Sequence, residues 1–170
     1  MSRILWSACT RYISEAGMWL QALLLGFMLI TTAVSYAGTS DPDWSAVTSW
    51  VGKYPSEAAG KNSQSLLAQP IIAMALRKIL PKAELTSLKI FKVEIPVRVI
   101  DGLVVVNKCL PHNCPADMAT VVIDVGNRRL WAGFFSREEG HVSTRWYGMD
   151  DDYSVLPASV KSDFQARHGD

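Results

Sequence analysis

The residues best suited to chemistry in this 170-residue chain sit together in "NKCLPHNCP", Asn107 to Pro115. Cys109 and Cys114 flank Leu110, Pro111, His112 and Asn113. Four uses suit such a stretch: zinc coordination, thiol redox, nucleophilic hydrolysis, or display of a histidine on a closed loop. Structural zinc takes four ligands and usually brings a second paired motif. The other histidines, His141 and His168, have no partner at ligand spacing and read as ordinary surface residues. A redox site favours C-x-x-C beside a βαβ unit; here the spacing is C-x4-C and the following strands read as antiparallel. A cysteine hydrolase needs a thiolate, a histidine and an orienting group, and a disulfide would disarm both sulfurs. No Gly-x-Ser-x-Gly elbow offers a serine instead. The reading is of a non-enzyme, with no metal and no cofactor.

The state of the two cysteines depends on what precedes them. Arg3 and Arg11 open the chain, and an apolar run extends from Met18 to Ile30. Ser35-Tyr36-Ala37 fits the small-x-small rule for a signal-peptidase cut before Gly38. The run is shorter than the ~20 residues a membrane-spanning helix needs, so residues 1–37 read as a cleavable signal peptide rather than an anchor. Residues 38–170 then form the mature domain, long enough for one core. Cleavage removes Cys9 and leaves an even pair, which in an exported protein favours a disulfide. Without Arg3, Arg11 and Glu15, 15 of 17 basic and 15 of 16 acidic residues remain. A balance near zero argues against a nucleic-acid partner, which requires a basic face.

The elements that must position the loop are read from periodicity. Asp43 can cap a short helix carrying Trp44, Val47 and Trp50 inward. "QPIIAMALRKIL" is the clearest helix, with Pro70 at its first position. Its apolar face is read as Ile71, Ile72, Met74, Ala75, Leu76, Ile79 and Leu80, while Arg77 and Lys78 point outward. From Leu88 the period becomes alternating, with Phe91, Val93, Ile95, Val97 and Val99 on one face and Pro96 hinting at an edge strand. Asp101-Gly102 and Gly126-Asn127 read as tight turns. "LVVVNKC", "DMATVVIDV", "RRLWAGFFS" and "VSTRWYG" supply the remaining strands, the last two linked through Arg137 to Gly140. Pro157 opens a closing helix with Val160 and Phe164 on one face. The fold class is α+β: a five-stranded antiparallel meander packed with helices, with one disulfide-closed protruding loop.

The loop is stiffer than a simple staple needs. Closing a six-residue ring contributes only ~2 kcal/mol in the chain-entropy model, and Pro111 stiffens the same interior again. Rigidity at a loop tip serves binding, because ordering costs are met before the partner arrives. A histidine there can donate hydrogen bonds to carboxylates, so the loop reads as a key for an acidic cleft.

"CLPHNC" is similar to the CKPHDC loop of the Ivy family, inhibitors of vertebrate lysozyme found in the periplasm of Gram-negative bacteria. The resemblance covers most of Gly38 to Phe164 and is best from Asn107 onward. The helix before the sheet, the hairpin into Cys109, the "GFFS" strand and the Trp146 strand come in the family's order. It implies a five-stranded antiparallel sheet with helices, and a loop whose histidine meets the catalytic carboxylates of c-type lysozyme. Those two carboxyl groups lie about 5 Å apart, close enough for one imidazole to bond both. By this resemblance His112 is the blocking group, Cys109 and Cys114 close the loop, and Pro111 shapes it. Leu110 stands where the family has lysine, and Asn113 where it has aspartate. Both departures bear on potency and target, and the cell's own lytic transglycosylases are the alternative target. Asp150, Asp151 and Asp152 read as a solvated turn, as do Glu138 and Glu139. Trp131, Phe134, Phe135, Trp146 and Tyr147 read as core and sheet face. Monomer and homodimer both remain open.

Overall fold

In the computed structural model, residues 43–57, 64–148 and 153–168 are described, all within the unit Ser40–Asp170. The signal-peptide reading of residues 1–37 and the acidic run Asp150 to Asp152 lie outside the described residues.

Asp43 caps the first element as its short acceptor side chain suggests. Its carboxylate accepts from the Ser45 amide at 2.9 Å, opening a 3₁₀ helix, Trp44–Trp50, that buries Trp44, Val47 and Trp50. Two helices come next, α1 (Pro70–Ile79) and α2 (Lys82–Ile90), separated by Pro81. Then come two short strands, β1 (Val93–Glu94) and β2 (Arg98–Ile100), and four long ones: β3 (Leu103–Cys109), β4 (Asp117–Asp124), β5 (Arg129–Glu138) and β6 (His141–Gly148). The closing helix α3 is Ala158–Ala166. The sheet runs β1-β3-β4-β5-β6, with β2 also on β3, and every pairing is antiparallel.

The turns carry the positive φ that two-residue hairpins demand. Asp101 and Gly102 stand at 47° and 77°, Glu139 and Gly140 at 41° and 84°. The β4–β5 connection is longer than a two-residue Gly126-Asn127 turn. Its left-handed residue is Arg128, at 56°, and the Asp124 carboxylate holds it by accepting from the Asn127 amide and side chain at 2.9 and 2.8 Å.

Helices cover both faces of the sheet, which is why β3 and β4 read as continuous apolar runs rather than clean alternation. On one face Val104, Val106, Ala119, Val121, Ile123, Leu130, Ala132 and Phe134 pack under α1, α2 and the Trp44–Trp50 turn. On the other, Val122, Trp131, Met118 and Phe135 meet Leu156, Val160 and Phe164. Charge pairs pin the helices. Arg145 donates to Glu84 of α2 at 2.7 Å, and Arg98 of β2 reaches Asp163 of α3 at 2.7 Å. On the α3 face two indoles lie over glycines: Gly133 is in register with Trp146, and Gly148 with Trp131. A β-carbon at Gly133 would lie 2.6 Å from the Trp146 ring, and one at Gly148 2.4 Å from that of Trp131.

Three expectations change. The alternating strand expected from Leu88 is helix as far as Ile90, and the extended segment beyond it splits at Pro96. Glu94 pairs with Lys108 and Arg98 with Val105, so three edge residues oppose two of β3, a bulge that shifts the register. Val93 and Val99 are therefore exposed while Val97 is buried. Val97 turns away from the ladder and bonds the 51–53 segment instead, donating to Lys53 and accepting from Gly52, each at 2.8 Å. The meander thus has six strands, its first strand being broken in two. Met74 is exposed rather than facing the core, because the core stripe of α1 is narrower than its apolar composition. His168 is buried, not a surface residue: it stacks on Phe135 at 3.7 Å and meets Phe164 edge-on at 4.2 Å. The turn that bonds its amide to Gln165 brings the ring back over the sheet.

Gly133→Ala should destabilise the fold by about 2 kcal/mol, the cost of overpacking a filled site, seen as a lower urea midpoint at unchanged m-value. The Asp163 cluster adds a dependence on acid. Burial raises the Asp163 carboxyl, but bonds from Arg167 and Arg98 outweigh it and hold the group below 3.8. A depressed folded pKa stabilises at neutral pH, and that contribution is lost as pH falls through the folded value. Asp163→Asn should be less stable than wild type at pH 7, with the gap closing below 3.8 in acid denaturation.

Candidate functional site

Cys109 ends β3 and pairs on one side with Met118 of β4 and on the other with Val93 of β1. Its backbone is thus fixed from both sides before the chain leaves the sheet. The ladder continues one step further, with the Leu110 amide donating to the Asp117 carbonyl at 3.0 Å. On the far side the Arg137 amide of β5 donates to the Ala116 carbonyl at 2.9 Å, so the returning arm is held as well. The loop Leu110–Ala116 leaves the same end of the sheet as the Glu139-Gly140 turn, because Asp117 is in register with Ser136 near the end of β5.

Between these anchors Cys109 and Cys114 form a disulfide with their Cα atoms 5.6 Å apart. Neither sulfur is then a thiolate, the form that a zinc ligand or a nucleophile requires. Inside the ring the Asn113 amide donates to the Leu110 carbonyl at 3.0 Å. Pro111 and His112 occupy the two central positions, and His112 has φ 66°. Proline second and a positive φ third is the pattern of a type II turn, whose third position favours glycine or asparagine. A β-substituted residue held left-handed costs roughly 1–2 kcal/mol, so the ring keeps the histidine at a backbone position where histidine is not the easy choice.

The four interior residues play different parts. His112 is exposed, and among the described residues its imidazole has no hydrogen bond or ion pair. Leu110 is half-buried against the core on the α1 face, so its side chain serves partly as an anchor. Pro111 is half-buried. Asn113 turns back toward the sheet: its side-chain amide donates to the Asp117 carboxylate, while its carbonyl accepts from the Asp117 amide at 3.0 Å. Of the disulfide pair, Cys114 is exposed and Cys109 packs with Met118, Phe135 and Phe164.

Asp117 does not stand out in the sequence, yet it makes three bonds to the loop through its side chain, amide and carbonyl. The signal available was a polar pair four residues apart, Asn113 and Asp117, spanning the second cysteine. Beside the loop's root lies a buried ion pair. Lys108 and Glu94 meet at 3.0 Å, with side chains 11% and 6% exposed. Burial raises the Glu94 carboxyl, but bonds from Ser56 and Lys108 prevail and lower it. Lys108 also donates to the Leu88 carbonyl at 3.3 Å, satisfying an orphan acceptor in the last turn of α2. The residue before Cys109 is in this way tied to both β1 and α2.

The arrangement offers one solvated imidazole at the tip of a ring braced on every side. It is a rigid protrusion with a donor at its end, suited to entering a cleft. A family model described as inhibitor of vertebrate lysozyme (Ivy) matches residues 71–168. No curated protein and no solved structure matches. With more than half of the chain matched and the whole loop inside that span, the protein belongs to the Ivy family, the inhibitors of vertebrate lysozyme.

Proposed function

We propose that this protein is an exported inhibitor of c-type lysozyme, acting in the periplasm after removal of residues 1–37. Its Cys109–Cys114 loop enters the active-site cleft and sets His112 between the catalytic carboxylates. The observation that carries this reading is the exposed His112 at φ 66°, held inside a disulfide ring that Leu110, Asn113 and Ala116 tie to the sheet. A donor fixed in advance loses little entropy on binding. A desolvated imidazole shared by two carboxylates makes charge-assisted bonds, the stronger class of hydrogen bond. The protein performs no chemistry of its own in this scheme: it excludes the sugar and leaves both partners unaltered.

Leu110 supports a second reading of the target. Its side chain leans on the core where the family loop carries a cation, so one attraction to an acidic cleft is absent. The cell's own lytic transglycosylases, which cut the same glycan with an acidic residue, are the next targets to assay.

Three variants test the loop. His112→Ala should weaken inhibition of a c-type lysozyme by about thirtyfold or more, the scale of a central interface residue. His112→Asn keeps a residue that tolerates the left-handed backbone and should lose as much. Retained inhibition by His112→Asn would assign the effect to loop geometry instead of the imidazole. Asp117→Ala should raise the dissociation rate of the lysozyme complex by about fivefold, one hydrogen bond's worth, whereas Asp117→Asn, which keeps an acceptor, should recover most of the loss.

A further inference from the structure

A second feature lies on the α1–α2 side, independent of the lysozyme reading. Residues 65–68, α1, α2 and the root of β3 enclose a cleft of about 400 Å³. Its interior is apolar: Leu76 and Leu88 are buried and Leu85 half-buried. Its rim is cationic. Arg77, Lys89 and Lys92 are all exposed there; among the described residues no carboxylate lines this cleft and none of the three has an ion pair. A smaller hollow of about 250 Å³ adjoins it, sharing Ser65, Leu67, Lys92 and Lys108. Glu94 lines that hollow, but its charge is matched by Lys108.

Helix electrostatics accounts for part of this. Arg77 and Lys89 stand in the last turns of α1 and α2, where cations complement the helix dipole. That does not account for Lys92, which lies beyond the end of α2, nor for all three converging on one apolar hollow. A cleft of this size, lined by hydrophobic side chains with a few convergent polar groups, is the usual form of a small-molecule site. Among the described residues no aromatic ring lines it to stack a base; Arg77, Lys89 and Lys92 are exposed in its lining, and its one largely buried cation, Lys108, is paired with Glu94. We infer that the cleft binds a single-chain acyl carboxylate, with the chain against Leu76, Leu85 and Leu88 and the carboxylate among Arg77, Lys89 and Lys92.

Calorimetric titration of the oxidised protein with monomeric sodium dodecanoate tests this. Saturable binding is expected, with no binding of acetate and at least about tenfold weaker binding of dodecanol, which has the chain without the charge. Lys89→Glu combined with Lys92→Glu should weaken dodecanoate by about tenfold or more while leaving lysozyme inhibition as it was, with the unfolding midpoint lowered only by the lost helix-dipole contact of Lys89. If that variant does not fold, the Lys89→Gln/Lys92→Gln pair gives the same comparison. The inference is overturned by absent saturation, by dodecanol binding as tightly as dodecanoate, or by unchanged affinity in the charge variants. Sedimentation with phosphatidylglycerol vesicles without dodecanoate binding would also overturn it, by making the cationic rim a membrane contact. Because the readout is dodecanoate heat, the result stands apart from whether lysozyme is inhibited.

Discussion

The structure turns on how the chain is held as it leaves and re-enters the sheet around Cys109 and Asp117. A protruding loop normally loses order with distance from its strands. Here the β3–β4 ladder carries past the strand end through the Leu110–Asp117 bond, β5 holds the returning arm at Ala116, and the disulfide closes what remains. Only the short turn at the tip is left to specify, and Pro111 restricts half of it. The left-handed backbone at His112 is tolerable because so many independent bonds determine the residues around it.

The rest of the fold keeps those anchors still. The sheet is covered on both faces, so β3 and β4 cannot slip register without moving an apolar set out of the core on each side. The bulge at Pro96 matters for the same reason. By shifting the edge register it lets β1 reach Cys109 while β2 pairs further back, and it turns Val97 into the core to bind the 51–53 segment. The Lys108–Glu94 pair then fixes the residue before the ring. Burying such a pair adds little net stability, since desolvation offsets most of the attraction, but it does determine which edge residue stands beside Lys108.

Much of this was legible in the sequence where one local rule dominates. Asp43 as a cap, Pro70 opening a helix, Asp101-Gly102 as a turn and the inward Val160 and Phe164 all come from short-range chemistry. So does the grouping of Cys109, His112 and Cys114. What could not be read depends on partners distant in sequence. Nothing near Val93 or Val99 tells that Pro96 resets the register, because the shift shows only against β3. His168 looks like a terminal surface residue until Phe135 and Phe164 are seen beneath it. In each case a tertiary neighbour outweighed the local pattern.

The central claim is that the loop occupies the sugar-binding cleft of its target, and competition tests it most directly. Binding of the oxidised protein to a c-type lysozyme would be measured at rising concentrations of a chitin trisaccharide, which fills that cleft. The account predicts mutual exclusion, with the apparent Kd rising in proportion to free sugar once the sugar is above its own Kd. An apparent Kd that stays flat at saturating sugar, with protein, lysozyme and trisaccharide together in one complex, would contradict it.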